Sequence, residues 1–364
     1  MASGTGKAAA GTVLVCGALG TVGRAMVEHF DALPGWRVVG LSRRAPDFPT
    51  GAEFRSVDLR DRAACEAGLS DLHDITRIVY AAVYEKADVA SGWRDPDHAE
   101  TNLAMLRNAV EAVEASSPGL RHVTLLQGTK AYGAHHGPFK TPAKEREPRY
   151  WGPNFYHDQE DWLRDRAARA GWTWTALRPQ VVFGFAVGSN MNALACVAAY
   201  AALSKELGMP LRFPGGEPRI QEATDAGLLA RAAAWAAGTP AAGGEAFNIA
   251  NGDCYIWHNL WPRVAEVFDM EPGQPFPCSL RRVMADKGPI WESMVARHGL
   301  RPHRLEEIVP SWQFADFIFG YGQRPNPAIV STVKARQFGF QDCMDTEDML
   351  VELLRQFRRE RIVP

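Results

Sequence analysis

Two side chains in this 364-residue sequence are placed to hold or move a proton, Tyr156 and Lys130. A phenol ionises at about 10, so it is a usable proton donor and hydrogen-bonds a developing oxyanion well. A nearby ammonium favours the phenolate, lowers that pKa and can also hold a ribose. The familiar spacing sets the lysine one helical turn after the tyrosine, but that position is Glu160. Lys130, in Gln127-Gly128-Thr129-Lys130 at the exit of an apolar run, can supply the ammonium from a neighbouring loop. The competing reading is a tyrosine packed near a helix start and a lysine on a loop.

A second constellation lies near the start of the chain. Thr12 to Cys16 is a β-branched, apolar run leading into Gly17-x-x-Gly20-x-x-Gly23, with Leu19, Thr21 and Val22 between the glycines. Arg24 to Phe30 follows at helical periodicity. A strand, a tight turn and a helix N-terminus in that order make an anion site, because turn N–H groups and the helix dipole both favour a phosphate. With a strand before and a helix after, the pattern indicates a dinucleotide site rather than a plain turn. An NAD-specific site carries an acid about twenty residues past the glycines. Here that place holds Ser42-Arg43-Arg44, and two guanidinium groups suit a 2′-phosphate, so NADP(H) is expected. Asp58 and Leu59 end another short strand, where an acid commonly faces an adenine, and Asp61 is expected to cap a helix over 62–69.

The elements that must position these groups alternate. Strands are expected at 12–16, 36–41, 54–57, 75–82, 120–126 and 172–177. Helices are expected over 24–30, 62–69, 97–115 and 154–170. This is an α/β chain with a Rossmann-type, doubly wound parallel sheet, and its ligands belong beyond the carboxyl ends of the strands. Ala81, Ala82 and Val83, at the exit of the fourth strand, are small enough to let a ribose or nicotinamide pass. The cofactor domain is expected over residues 10–185, returning around 224–252. Residues 186–364 are mostly a smaller, helical, substrate-binding cap carrying Trp257, Trp261, Trp291 and Trp312.

Together, the glycine turn, Ser42-Arg43-Arg44, Gly128-Thr129-Lys130, Asn154-Phe155-Tyr156-x-x-x-Glu160-Asp161 and Arg178-Pro179 with Phe183-Gly184-Phe185 resemble the progesterone 5β-reductase/iridoid synthase-like family, atypical extended short-chain dehydrogenases. Asn190-Met191-Asn192, Leu211-Arg212-Phe213, Phe247 to Asp253 and Ile362-Val363-Pro364 extend the likeness over nearly the whole chain. The displaced lysine is its specific mark. The resemblance implies NADPH-dependent 1,4-reduction of an activated C=C bond beside a carbonyl, with Tyr156 stabilising the enolate and Lys130 behind it. It also implies cofactor contacts from Gln127, Gly128, Pro179, Val181, Val182, Ser189 and Met191. The chain departs from the plant members at His157, where they tend to carry a second tyrosine. It departs again near Ala328, where Pro325 and Pro327 flank a loop without their pocket aromatic. Steroid or iridoid specificity is therefore not carried over.

The bulk composition is that of a globular protein, 46% hydrophobic and 23% charged with a formal net charge of −2. No basic stripe suggests nucleic acid. Six scattered cysteines without a C-x-x-C pair point to free thiols in a reducing, cytoplasmic setting rather than to disulfides or structural zinc. The first eleven residues read as a disordered tail, and no run reaches the ~18 apolar residues of a membrane helix. His135 and His136 with His157 read as loop surface rather than a metal site. The expected partners are a small enone or enal substrate and, for assembly, a second copy in a homodimer; no nucleic acid and no membrane enter. The competing functions are a 1,2-carbonyl reductase, a sugar-nucleotide epimerase or dehydratase, and a non-catalytic NADP sensor. The first two share the fold; Glu160 in the lysine position counts against the epimerase, and the Tyr156–Lys130 pair against the sensor.

Overall fold

The computed structural model describes residues 10–86, 95–189, 191–324 and 326–364, so the expectations for the first nine residues, Asn190 and Pro325 lie outside it. Alternating β-branched and apolar runs with helical stretches build one seven-stranded sheet. In chain order these are β1 (Thr12–Cys16), α1 (Thr21–Asp31), β2 (Arg37–Leu41), β3 (Glu53–Arg55), α2 (Arg62–Leu69), β4 (Ile75–Tyr80), α3 (Pro96–Ser116), β5 (His122–Leu126), α4 (Phe155–Ala170) and β6 (Thr173–Pro179). There follow β7 (Val181–Phe183), α5 (Ala193–Glu206), β8 (Leu211–Arg212), β9 (Ala223–Asp225), α6 (Ala226–Gly238), β10 (Glu245–Ile249) and α7 (Trp257–Val267). The sheet order is β3-β2-β1-β4-β5-β6-β10, and every neighbouring pair is parallel. β1 sits at the point where the order reverses, and all five of its residues are buried. A doubly wound sheet opens its ligand crevice at that point, beyond the carboxyl ends of β1 and β4.

The chain divides into two compact units. The first comprises Met1–Gln180, Gly227–Ile249 and Val330–Asp342. Its core packs Leu14, Ile78, Val123, Leu125 and Ala176 from the sheet with Leu106, Val110 and Val113 of α3. The change of unit falls after Gln180 rather than near residue 185. The return over Val330–Asp342 is an addition to the expected boundaries. It is held by aromatic edges: Phe338 lies 5.2 Å from Phe247, and Phe340 lies 5.4 Å from Trp235. Lys334 adds an ion pair to Glu245 at 2.7 Å.

The second unit comprises Val181–Ala226, Ala250–Ile329 and Cys343–Pro364. Its centre is α5, buried on all sides from Ala193 to Ser204 and capped by Asn192, whose Oδ1 accepts from Leu194 and Ala195 N–H at 3.1 Å. A helix apolar all round belongs in a core. Trp257, Trp261, Trp291 and Phe357 pack in the same cluster. α6 begins only at Ala226, because Ala223–Asp225 is spent pairing with β7.

Candidate active site

The glycine turn is built by close backbone approach. Gly17 takes φ +80°, and a Cβ there would stand 2.9 Å from Ala81 O and the Ala82 backbone, so β4's exit presses directly on the turn. A Cβ on Gly23 would fall 2.0 Å from Gly17 O, which leaves hydrogen as the side chain that lets α1 pack on β1. Gly20 is different. Its Cβ would meet only Gly17 O, at 3.5 Å, so nothing among the described residues excludes a side chain. Gly20 N-caps α1 without a side-chain cap, and the first turn carries no acid. The positive end of the helix is thus left for an anion, and the bare Gly20 is the face a pyrophosphate would approach. Leu19 and Thr21 are buried beside it, and Val22 is half-buried.

At the end of β2, Ser42 Oγ accepts from Arg44 N–H at 3.2 Å, and Arg43 and Arg44 are exposed. Asp58, at the next strand exit, is clasped by Arg60 with Nη2–Oδ2 at 2.6 Å. The Arg60 hydrogen bonds, with Arg43 adding its charge, push the Asp58 carboxyl down to about 2. Leu59 is buried and its carbonyl accepts from Asn108 Nδ2 at 2.8 Å. Sequence reasoning missed Arg24. This residue, directly after the last glycine, is buried, pairs with Glu28 at 2.8 Å and lies 4.2 Å over the Phe48 ring, tying the 42–50 loop to α1. Its position one residue past the motif was the available signal.

The two candidate acid–base residues are positioned where β5 meets α4. After Gln127 the chain makes a single 3-10 turn, Thr129–Tyr132, which carries Lys130. Asn154 caps α4 and fixes both candidates with one amide: Oδ1 accepts from Tyr156 N–H at 3.0 Å, and Nδ2 donates to Lys130 O at 2.8 Å. The Tyr156 hydroxyl lies over Gly128, 3.8 Å from where a Cβ would stand, and Pro179 O lies 3.7 Å from the same point. His157 reaches Ala131 O at 3.1 Å. Lys130 and Tyr156 are therefore brought to one edge of the sheet, with the exits of β1 and β4.

Glu160 has a different job from the lysine whose place it takes. Its carboxylate meets Arg178 at 2.8 Å, Arg164 at 3.0 Å and Arg149 at 3.2 Å. Burial opposes its ionisation, yet the arginines, Arg178 foremost, hold it below the usual carboxylate range. Gln127 completes the seam. Its Nε2 donates to Tyr156 O at 2.9 Å, and its Oε1 accepts from Arg178 Nε at 2.8 Å. The side chain of this expected cofactor contact thus faces α4 and β6.

One expectation is corrected. Lys130 was expected to lower the Tyr156 pKa, but burial, with the charge of Glu85 adding, raises that phenol above its ordinary value. Burial also draws Lys130 down to about 8, with Glu85 opposing. A desolvated phenol keeps its proton, so Tyr156 stands as a neutral donor. Pro179 ends β6 in the first unit, and Ala81 donates to Cys16 O at 3.0 Å with Val83 exposed beyond it. Val181, Val182, Ser189 and Met191 belong to the second unit as half-buried residues. Among the described residues no group of three or more His, Cys, Asp or Glu side chains is placed to hold a metal. His135 instead bonds Tyr150 at 3.1 Å.

A parallel sheet with a glycine cradle on β1 and a tyrosine–lysine pair at the β5 exit defines a Rossmann-fold oxidoreductase of the short-chain dehydrogenase class. Solved structures bear out the fold: the UDP-glucose 4-epimerase of Thermus thermophilus in complex with NAD superposes with a TM-score of 0.65 at 19% identity, covering 95% of this chain and 99% of that one. RMD from Pseudomonas aeruginosa complexed with NADPH gives 0.64 at 14% identity, over 95% and 98%. Residues 58–364 match the PRISE-like Rossmann-fold domain, and the chain belongs to that family. Its relatives include an (S)-8-oxocitronellyl enol synthase of Camptotheca acuminata, 33% identical over 96% of this chain and 93% of the relative. The 3-oxo-Δ(4,5)-steroid 5β-reductase of Arabidopsis thaliana is also 33% identical, over 96% and 92%.

Proposed function

We propose that this enzyme is an NADPH-dependent reductase of the activated C=C bond of α,β-unsaturated carbonyl compounds. The observation that carries the reading is the displaced lysine: Lys130 comes from the turn after β5, tied through Asn154 to Tyr156, while Glu160 is locked onto Arg178 in the helical position. The family names point the same way, since one relative is named a 5β-reductase of 3-oxo-Δ(4,5)-steroids. The bare Gly20 and the uncapped α1 suit a pyrophosphate, and exposed Arg43 and Arg44 suit a 2′-phosphate. When bound, NADPH supplies the hydride.

The chain's own residues then do the rest. Tyr156 Oη donates a hydrogen bond to the substrate carbonyl, whose oxygen gains charge as hydride adds to the β-carbon. Lys130, as an ammonium below about 8, stabilises that charge from behind. The α-carbon takes its proton from solvent. Free thiols throughout fit a reducing cytoplasm.

The test is NADPH oxidation against a panel of enones, enals and simple ketones, with product analysis. Saturated carbonyl products are expected. Allylic alcohol alone would make the enzyme a 1,2-carbonyl reductase instead. For the cofactor, Arg43→Ala with Arg44→Ala is expected to raise KM for NADPH about tenfold while leaving NADH nearly unchanged. Equal changes for both would remove the 2′-phosphate assignment.

A further inference from the structure

The amino edge of the sheet, opposite the edge that carries Lys130 and Tyr156, holds a buried cation that the mechanism above does not use. Arg77, the third residue of β4, is only 8% exposed, and arginine is rarely so enclosed without an acid. Its Nη1 donates to the carbonyl of Thr76 at 3.0 Å, and its Nε is buried without a hydrogen-bond partner among the described residues. No carboxylate among those residues bears on it. Burial, with the charge of exposed Arg121 adding, draws it below its ordinary pKa.

Parallel pairing sets His122, the first residue of β5, directly beside Arg77, and Thr124 follows on the same face two residues on. Neighbouring strands lie about 4.8 Å apart, so the three side chains share one small patch. His122 is 3% and Thr124 1% exposed. His122 Nε2 and Thr124 Oγ1 are, like Arg77 Nε, buried without a partner among the described residues. The other ring nitrogen of His122 fixes the tautomer. Nδ1 lies 2.8 Å from Thr173 Oγ1. That hydroxyl's second contact, Arg121 O, is 3.3 Å away and already accepts from Thr173 N–H at 2.9 Å. The hydroxyl therefore donates to Nδ1, and the ring proton sits on Nε2. Burial, with the Arg77 charge adding, keeps the ring neutral, its pKa pushed down to about 3. Three donors and one uncompensated positive charge thus meet on one face, with the buried Val13 and Val79 beside them. Donors alone around a buried cation suit an anion, and leaving such a charge without one is costly.

We propose that the amino edge of the sheet binds a small monovalent anion, chloride or an ion of its size, between Arg77, His122 and Thr124. The ion accepts from Arg77 Nε, His122 Nε2 and Thr124 Oγ1, compensates the guanidinium and ties β4 to β5. The test is thermal unfolding in sodium chloride against sodium gluconate, whose anion is too large for the patch, at equal ionic strength. The wild-type midpoint is expected to rise about 2 °C for each tenfold increase in chloride. Arg77→Met removes the charge and is expected to abolish that rise. Thr124→Val, nearly isosteric, keeps the charge and is expected to move the rise to about tenfold higher chloride. Equal midpoints in the two salts, as a buried water alone would give, overturn the assignment. So does a chloride response that R77M or T124V leaves unchanged; should R77M fail to fold, T124V decides. Bromide in place of chloride locates the ion by anomalous scattering, and a peak elsewhere than between Arg77 and His122 overturns the site. Unfolding is read without turnover, so the outcome is independent of the reduction reading.

Discussion

The seam between β5, β6 and α4 and the aromatic block around Trp257 are both buried, yet they are held by opposite means. In the seam, Gln127, Asn154, His157, Glu160 and Arg178 are all buried and all hydrogen-bonded, and each bond has a direction. In the block, rings meet edge to face: Tyr255 on Trp257 at 5.3 Å, Trp257 on Phe319 at 5.0 Å and Phe213 on Trp261 at 5.1 Å. There Tyr255 Oη, Trp257 Nε1 and Trp261 Nε1 are buried without a hydrogen-bond partner among the described residues. Directional bonds fix atoms to a few tenths of an ångström, as a proton donor requires. Ring packing fixes volume and leaves shape adjustable.

Three substitutions probe that contrast. Tyr156→Phe removes the proposed donor, and turnover on a small enone is expected to fall ~10²–10³-fold with NADPH affinity unchanged; steady-state kinetics and fluorescence titration check both halves. Arg178→Met leaves Glu160 buried with weaker, outer partners. It is expected to destabilise the protein by about 3 kcal/mol in urea unfolding and to lower kcat as Tyr156 loses its anchor. A stable variant of full activity would show that the seam is packing after all. Tyr255→Phe is the converse. Because its hydroxyl bonds nothing among the described residues, stability is expected to stay within about 1 kcal/mol or rise slightly. A loss well beyond that in thermal unfolding would mean the block, too, depends on a directional bond.

Local features were legible in the sequence. The glycine spacing and the Asp61 cap are patterns within a few residues, and the elements followed from periodicity. What escaped was long-range. Glu160 was legible as a missing lysine, but its partner Arg178 lies on the next strand, so the seam shows only in three dimensions. The direction of the Tyr156 shift was misread because burial is a property of the folded chain. The Val330–Asp342 return was equally silent, since Phe338 and Phe340 read like any apolar pair until Trp235 and Phe247 are set beside them.

That return has a consequence for biosynthesis. The segments 1–180, 181–226, 227–249, 250–329, 330–342 and 343–364 alternate between the units, so the chain changes unit five times. Neither unit is finished when its first stretch leaves the ribosome. The cofactor unit waits for residues 330–342, which emerge long after β10 has been made. Until then Trp235 and Phe247 lack the phenylalanines that cover them. Folding of this topology is consequently late and dominated by contacts distant in sequence. A nascent chain stalled before residue 330 carries an uncovered aromatic surface beside the sheet edge β10, a natural handle for a chaperone.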